Sequence, residues 1–150
     1  MASVFVDTTT LLYLMDRHEA DKRRTVAGWL RMLARSNALV INAQVLNEAY
    51  WVLRRKARFQ TSKARAQRFV GLFRRYVIAP VGLDLLDAGW AVEERYGVPF
   101  YDALLLASAQ SSGCGLFLSE DLNHLQDYAG VRAVNPFRQT PRLMLGPAAP

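Results

Sequence analysis

A chain of 150 residues, 51% of them apolar, is long enough for one domain with a full hydrophobic core. It contains no apolar run of 18 residues, so no membrane span is expected, and the lone Cys114 excludes an intrachain disulfide or a cysteine-based zinc cluster. The net charge of +6 is unevenly spread, with nine basic and no acidic side chains between Ala49 and Leu83 and a mildly acidic remainder. A basic middle on an acidic body implies a polyanionic partner. Met1 is followed almost at once by apolar Val4, Phe5 and Val6, with no basic leader, so a reduced cytoplasm is the expected setting.

In chain order, Val4–Val6 reads as a short buried strand, followed by a helix ending near Met15. Residues 21–36 have helical spacing through Val26, Trp29, Leu30 and Leu33. "ALVI" (38–41) reads as a second strand, and Asn42 as the N-cap of a helix over 43–56. Ser62 caps a helix reaching about Arg75, and "YVIAPV" (76–81) is a third strand. Residues 84–96 are helical up to Gly97, and Asp102 opens a helix to Ser112. "GLFLS" (115–119) and "VRAV" (131–134) complete the strands, and the proline-bearing segment after Phe137 is expected to fray. Strands separated by helices predict a single α/β domain, its parallel sheet covered on both faces.

Most acids lie among polar residues or at helix ends, but four keep apolar company. Asp7 follows "VFV", Glu48 lies in "AQVLNEAYWVL", Asp102 in "PFYDALLLASA", and Asp121 follows "GLFLSE". Asp7 and Asp121 would project from the carboxyl edge of the sheet, where α/β folds bind ligands. Asp7, Asp102 and Asp121 read equally well as N-caps, and Glu48 as the partner of an arginine. Glu48 is mid-helix at the border of the buried stripe, so capping does not account for it. Four convergent acids without a counter-charge would raise one another's pKa values and call for a cation. Carboxylate oxygens with few nitrogen ligands favour Mg²⁺ or Mn²⁺, and such a site suits phosphodiester hydrolysis.

The segments "FVDTTTLLYL", "INAQVLNEAYWVLRRK", "PFYDALLLASAQSSGCGLFLSEDL" and "VRAVNPF", in this order and spacing, resemble the PIN domain. The likeness is to the single-domain VapC-type toxins of bacterial toxin–antitoxin pairs, over about residues 2–137. It implies an α/β/α three-layer sandwich with a central parallel sheet of four to five strands, occupying residues 1–137 ahead of a Pro-rich tail, 138–150. It further implies a metal-dependent ribonuclease, a hydrolase using Mg²⁺ or Mn²⁺, neutralised by a small antitoxin. Asp7, Glu48, Asp102 and Asp121 match the family's four acids. Thr9 falls where the family often has Asn or Ser, and Ser119 where it has Thr or Ser, so both would orient the site by hydrogen bonds. Glu120 is a spare carboxylate able to share the metal. The oligomeric state, a homodimer included, stays open.

Two other readings compete. "VFVDTTT" is also similar to the start of dehalogenase-type phosphatases, although Thr9 stands where those enzymes need a second Asp. A non-catalytic nucleic-acid-binding module would use the basic segment 54–75, where Arg54, Arg58, Arg65 and Arg68 form an electrostatic track for RNA. The aromatics in and just before this segment, including Tyr50 and Trp51, read as core at helical spacing. That module would leave Glu48 and Asp102 without a purpose. His18 and His124 are too few for a zinc site, and "GCG" (113–115) reads as a helix stop.

Overall fold

The computed structural model of the protein describes residues 2–146, with Ile78 and Ala79 described by their backbone alone. Its strands are β1 (Val4–Val6), β2 (Leu39–Asn42), β3 (Val77–Ala79), β4 (Leu116–Leu118), β5 (Asp127–Tyr128) and β6 (Val131–Val134). Its helices are α1 (Thr8–Leu12), α2 (Ala20–Arg35), α3 (Ala43–Arg55), α4 (Lys63–Gly71), α5 (Leu83–Tyr96), α6 (Phe100–Ser111) and α7 (Pro141–Leu145). Strand order is β3-β2-β1-β4-β6-β5, parallel from β3 to β6, with only the short β5 antiparallel. Among the described residues, no helix is long and apolar enough to cross a membrane.

The chain steps outward from β1 to β2 and β3, then returns across β1 to β4. Right-handed crossovers therefore put α2 on one face and the α5–α6 pair on the other. This is the expected sandwich. The reversal lies between β1 and β4, whose residues pair in register from Val4 with Leu116 to Val6 with Leu118. Loops leaving two neighbouring parallel strands in opposite directions open a crevice at their carboxyl ends.

Strands buried on both faces read as continuous apolar runs, and β1, β2 and β4 obey that rule. Phe5 and Phe117, opposite one another in register, stack with ring centroids 5.5 Å apart. Trp29 of α2 is fully buried and donates its indole N–H to the Pro136 and Gln139 carbonyls. On the other face Gly89 lets α5 approach α6 so closely that a Cβ there would lie 2.5 Å from Leu104 Cδ2.

Several expectations need correction. The helix opened by Ser62 stops at Gly71, a residue costly in helices, and a 3₁₀ turn over Arg74–Tyr76 leads into β3. The segment beyond Phe137, expected to fray, forms α7 with Pro141 in its first turn; residues 147–150 lie outside the described residues. The helix carrying Asp102 begins earlier, with Pro99 at the N-cap, so Asp102 sits within its first turn. Asp121 caps no helix, because a bend follows β4. Arg58 lies past the end of α3 at Arg55, so it does not share a helical face with Arg54.

Candidate active site

Each acid reaches the carboxyl edge of the sheet for a local reason. Asp7 follows β1, its N–H donating to the Leu118 carbonyl at 3.3 Å, and its Oδ1 accepts from the Thr10 N–H at 2.8 Å as the N-cap of α1. Thr10 Oγ1 donates to the same Leu118 carbonyl at 3.2 Å, stitching α1 to β4. Asn42 caps α3 through the Val45 N–H at 3.0 Å and donates from Nδ2 to Ser108 Oγ on α6, also at 3.0 Å. One buried amide thus joins the helices that carry Glu48 and Asp102.

Glu48 is half-buried and, among the described residues, pairs with no arginine. Its Oε2 accepts from Thr8 Oγ1 at 2.9 Å and its Oε1 from Gln44 Nε2 at 2.7 Å. Asp102 is half-buried, and Asp121, three residues beyond the end of β4, is exposed. Ser119, fully buried just after β4, hydrogen-bonds Asp7 through its hydroxyl and accepts the Asp121 N–H at 3.1 Å. Thr9 hydrogen-bonds Asp121.

The electrostatics are those of crowded, desolvated acids. Asp7 is only 2% exposed, and burial pushes its carboxyl from 3.8 up to about 7, against hydrogen bonds from Ser119 and Thr10. The charge of Asp121 adds to that rise. Burial also raises Asp102, reinforced by the charges of Asp121 and Glu48, and raises Asp121, reinforced by Glu120. The fields of all four acids therefore overlap. Among the described residues, none of the four is ion-paired with a basic side chain. Also among the described residues, no three His, Cys, Asp or Glu side chains are arranged to hold a metal ion as they stand.

Glu120 turns the other way. It accepts from Tyr13 Oη and lies 3.3 Å from Lys22 Nζ, which is 5.1 Å from the centre of the Tyr13 ring and 5.0 Å from that of Phe137. The basic residues divide similarly. Arg54 donates to the Thr61 carbonyl at 3.1 Å, and Arg58 pairs at 2.7 Å with Asp16, a 4% exposed carboxylate that the sequence marked as ordinary. Arg65 and Arg68 are exposed on α4. Sequence reasoning thus missed Thr8, Gln44, Asn42's second bond and Asp16. Only Gln44, four residues before Glu48 on one helix, was readable from spacing.

The comparisons agree with this architecture. The PIN domain profile matches residues 4–131, which include all four acids, and the chain belongs to the PIN domain family. Three solved structures share its fold. VapC20 of Mycobacterium tuberculosis, a sarcin-ricin loop cleaving toxin, is 23% identical with a TM-score of 0.55, over 77% of this chain and 87% of that one. A toxin–antitoxin complex from Klebsiella pneumoniae is 19% identical with a TM-score of 0.63, over 89% and 98%. VapBC2 of Rickettsia felis, bound to a promoter DNA fragment, is 14% identical with a TM-score of 0.60, over 87% and 96%. No curated protein matches the sequence.

Proposed function

We propose that this protein is a metal-dependent endoribonuclease that hydrolyses RNA phosphodiester bonds, acting as the toxin of a toxin–antitoxin pair. One observation carries the catalytic part. Asp7, Glu48, Asp102 and Asp121 share one sheet edge with overlapping fields and no basic partner among the described residues. The toxin part draws on family membership and on a fold shared with VapC20 and two toxin–antitoxin assemblies.

By its chemistry, though not by its arrangement as it stands, the donor set suits a hard divalent cation, Mg²⁺ or Mn²⁺. It offers only oxygens, and its raised carboxyl pKa values express a need for positive charge. Asp7, Glu48, Asp102 and Asp121 would hold the ion. When bound, it supplies Lewis-acid polarisation of the phosphate and lowers the pKa of an attacking water.

The chain's own residues prepare that chemistry. Thr8 and Gln44 occupy one oxygen each of Glu48 and fix its rotamer. Thr10 and Ser119 favour the ionised form of Asp7 against the cost of burial. Ser119 also anchors the start of the bend that presents Asp121, and Thr9 steadies its carboxylate. The Lys22–Tyr13 clasp withdraws Glu120 from the set. Exposed Arg65 and Arg68 hold RNA phosphates, whereas Arg54 and Arg58 first serve the loop after α3.

Purified protein incubated with total RNA in Mg²⁺ or Mn²⁺ should cleave it, and EDTA or the Asp7→Asn substitution should stop cleavage. Persistent cutting in EDTA would overturn the metal reading. Expression alone should slow bacterial growth, Asp7→Asn should not, and a small antitoxin encoded nearby should relieve the arrest. Equal growth arrest from both forms would remove the toxin assignment.

A further inference from the structure

We infer that Trp51 and Arg55 form a stacking platform beside the acids that takes an unpaired base of single-stranded RNA. The inference rests on the ribonuclease reading and names the form of its substrate. Trp51 is 56% exposed, whereas Trp29 is fully buried and hydrogen-bonded, so its place in the sequence as a core aromatic is not where the fold puts it. It follows Glu48 by three residues on α3, one turn along the same side of the helix. A shallow cavity of about 380 Å³, lined by Asn47, Glu48, Trp51 and Val52, joins the indole to that carboxylate.

Arg55 lies over the ring with its guanidinium carbon 5.5 Å from the indole centroid. This cation–π contact, modest at an exposed site, favours the ring position seen here and reduces the side-chain freedom lost on binding. Arg54, Arg55 and Lys56 crowd the end of α3, and no acid occurs from there to Leu83. An apolar protein surface laid on Trp51 would have to cover these charges. A nucleic-acid strand supplies both complements, a π face for the indole and phosphates for the cations.

The surface also continues in a direction a strand can follow. Asn47 also lines a second cavity of about 430 Å³, together with Tyr50, Gln67 and Arg74. The two cavities share Asn47, so a strand seated on Trp51 would reach the basic α4 region by passing over that residue. Within a duplex each base's π faces are covered by the neighbouring pairs of the stack, so the geometry favours an unpaired nucleotide.

Binding can be measured without cleavage in the Asp7→Asn background. The probes are a fluorescein-labelled single-stranded RNA of mixed sequence and the same strand annealed to its complement. Trp51→Ala should weaken single-strand binding about tenfold while changing duplex binding less than about twofold. Trp51→Phe, which keeps a π face, should restore most of the loss, and thermal melting of both variants should match the parent. Unchanged single-strand binding by Trp51→Ala would overturn the platform. So would equal losses on single strand and duplex, or loss of self-association or antitoxin binding with RNA affinity intact. If Trp51→Ala weakens binding but the wild type never cuts RNA, the platform stands and the nuclease reading fails. If the wild type cuts and Trp51→Ala binds normally, the reverse holds.

Discussion

Replacing Asp7 by Asn should make the metal-free protein more stable, not less. The Asn oxygen keeps the cap on the Thr10 N–H, and the Ser119 hydroxyl can turn to accept from the new amide. What disappears is a charge held where burial opposes it. Raising the carboxyl from 3.8 to about 7 corresponds to roughly three pKa units, or ~4 kcal/mol at 1.36 kcal/mol each, as a ceiling. The folded state binds the extra proton, so its stabilising contribution is complete below about pH 3.8 and is lost as pH rises through about 7. The wild type in EDTA should therefore weaken across that window, while Asp7→Asn should lack this slope and exceed it by about 2 kcal/mol at pH 8, or roughly 4–8 °C in Tm. Urea unfolding at several pH values measures the difference. Mg²⁺ or Mn²⁺ should reverse the order, since a ligand at 100 times its Kd adds about 2.7 kcal/mol to the form that binds it. A less stable Asn variant at pH 8 in EDTA, with no stabilisation of the wild type by either ion, would refute the reasoning.

Other substitutions separate chemistry from scaffold. Ser119→Ala removes a hydrogen bond that lowers the Asp7 pKa, so the acid limb of the pH–rate profile should move upward while kcat falls at least about tenfold. Changing Arg65 and Arg68 together to Gln should flatten the salt dependence of RNA binding by roughly 0.7 log unit per lost phosphate contact, read by fluorescence titration. Arg58→Gln should instead lower stability by about 1–2 kcal/mol in urea unfolding, because Asp16 is buried and loses its counter-charge while Arg58 itself is half in solvent. Cys114, buried and pushed up to about 11, should react with iodoacetamide only on global unfolding, with labelling followed by mass spectrometry.

Much of this layout was legible because local chemistry dictated it. Asp7, Asn42 and Ser62 cap the expected helices, and Gly97, at φ 66°, ends α5 in the left-handed conformation that glycine tolerates. The four acids stood out because their neighbours are apolar, which is a property of sequence alone. What escaped depends on distant partners. Nothing near Asp16 announces Arg58, and nothing near Glu120 announces Lys22, because both pairs form only when separate loops meet. The two-residue β5 has no periodicity to read; it exists through the turn at Ala129 and Gly130, where φ is 53° and 91°. Trp51 deceived for the opposite reason. Grouped with its aromatic neighbours it read as core, but the buried stripe of α3 is Val45, Leu46, Ala49 and Leu53, and Trp51 stands with Asn47 and Arg55 on the outer face.

The Asn42–Ser108 hydrogen bond acts as a pivot with two equal arms. Glu48 lies six residues beyond Asn42 on α3, and Asp102 six residues before Ser108 on α6. At 1.5 Å per residue, each carboxylate's backbone sits about 9 Å along its helix from the same joint. A ten-degree swing of either arm would displace its acid by about 1.6 Å, a scale at which misplacement costs roughly a hundredfold in rate. Mechanical tolerance at this site is thus set in the dry interior. Asn42→Ala, though remote from any phosphate, should slow turnover far more than it weakens RNA binding.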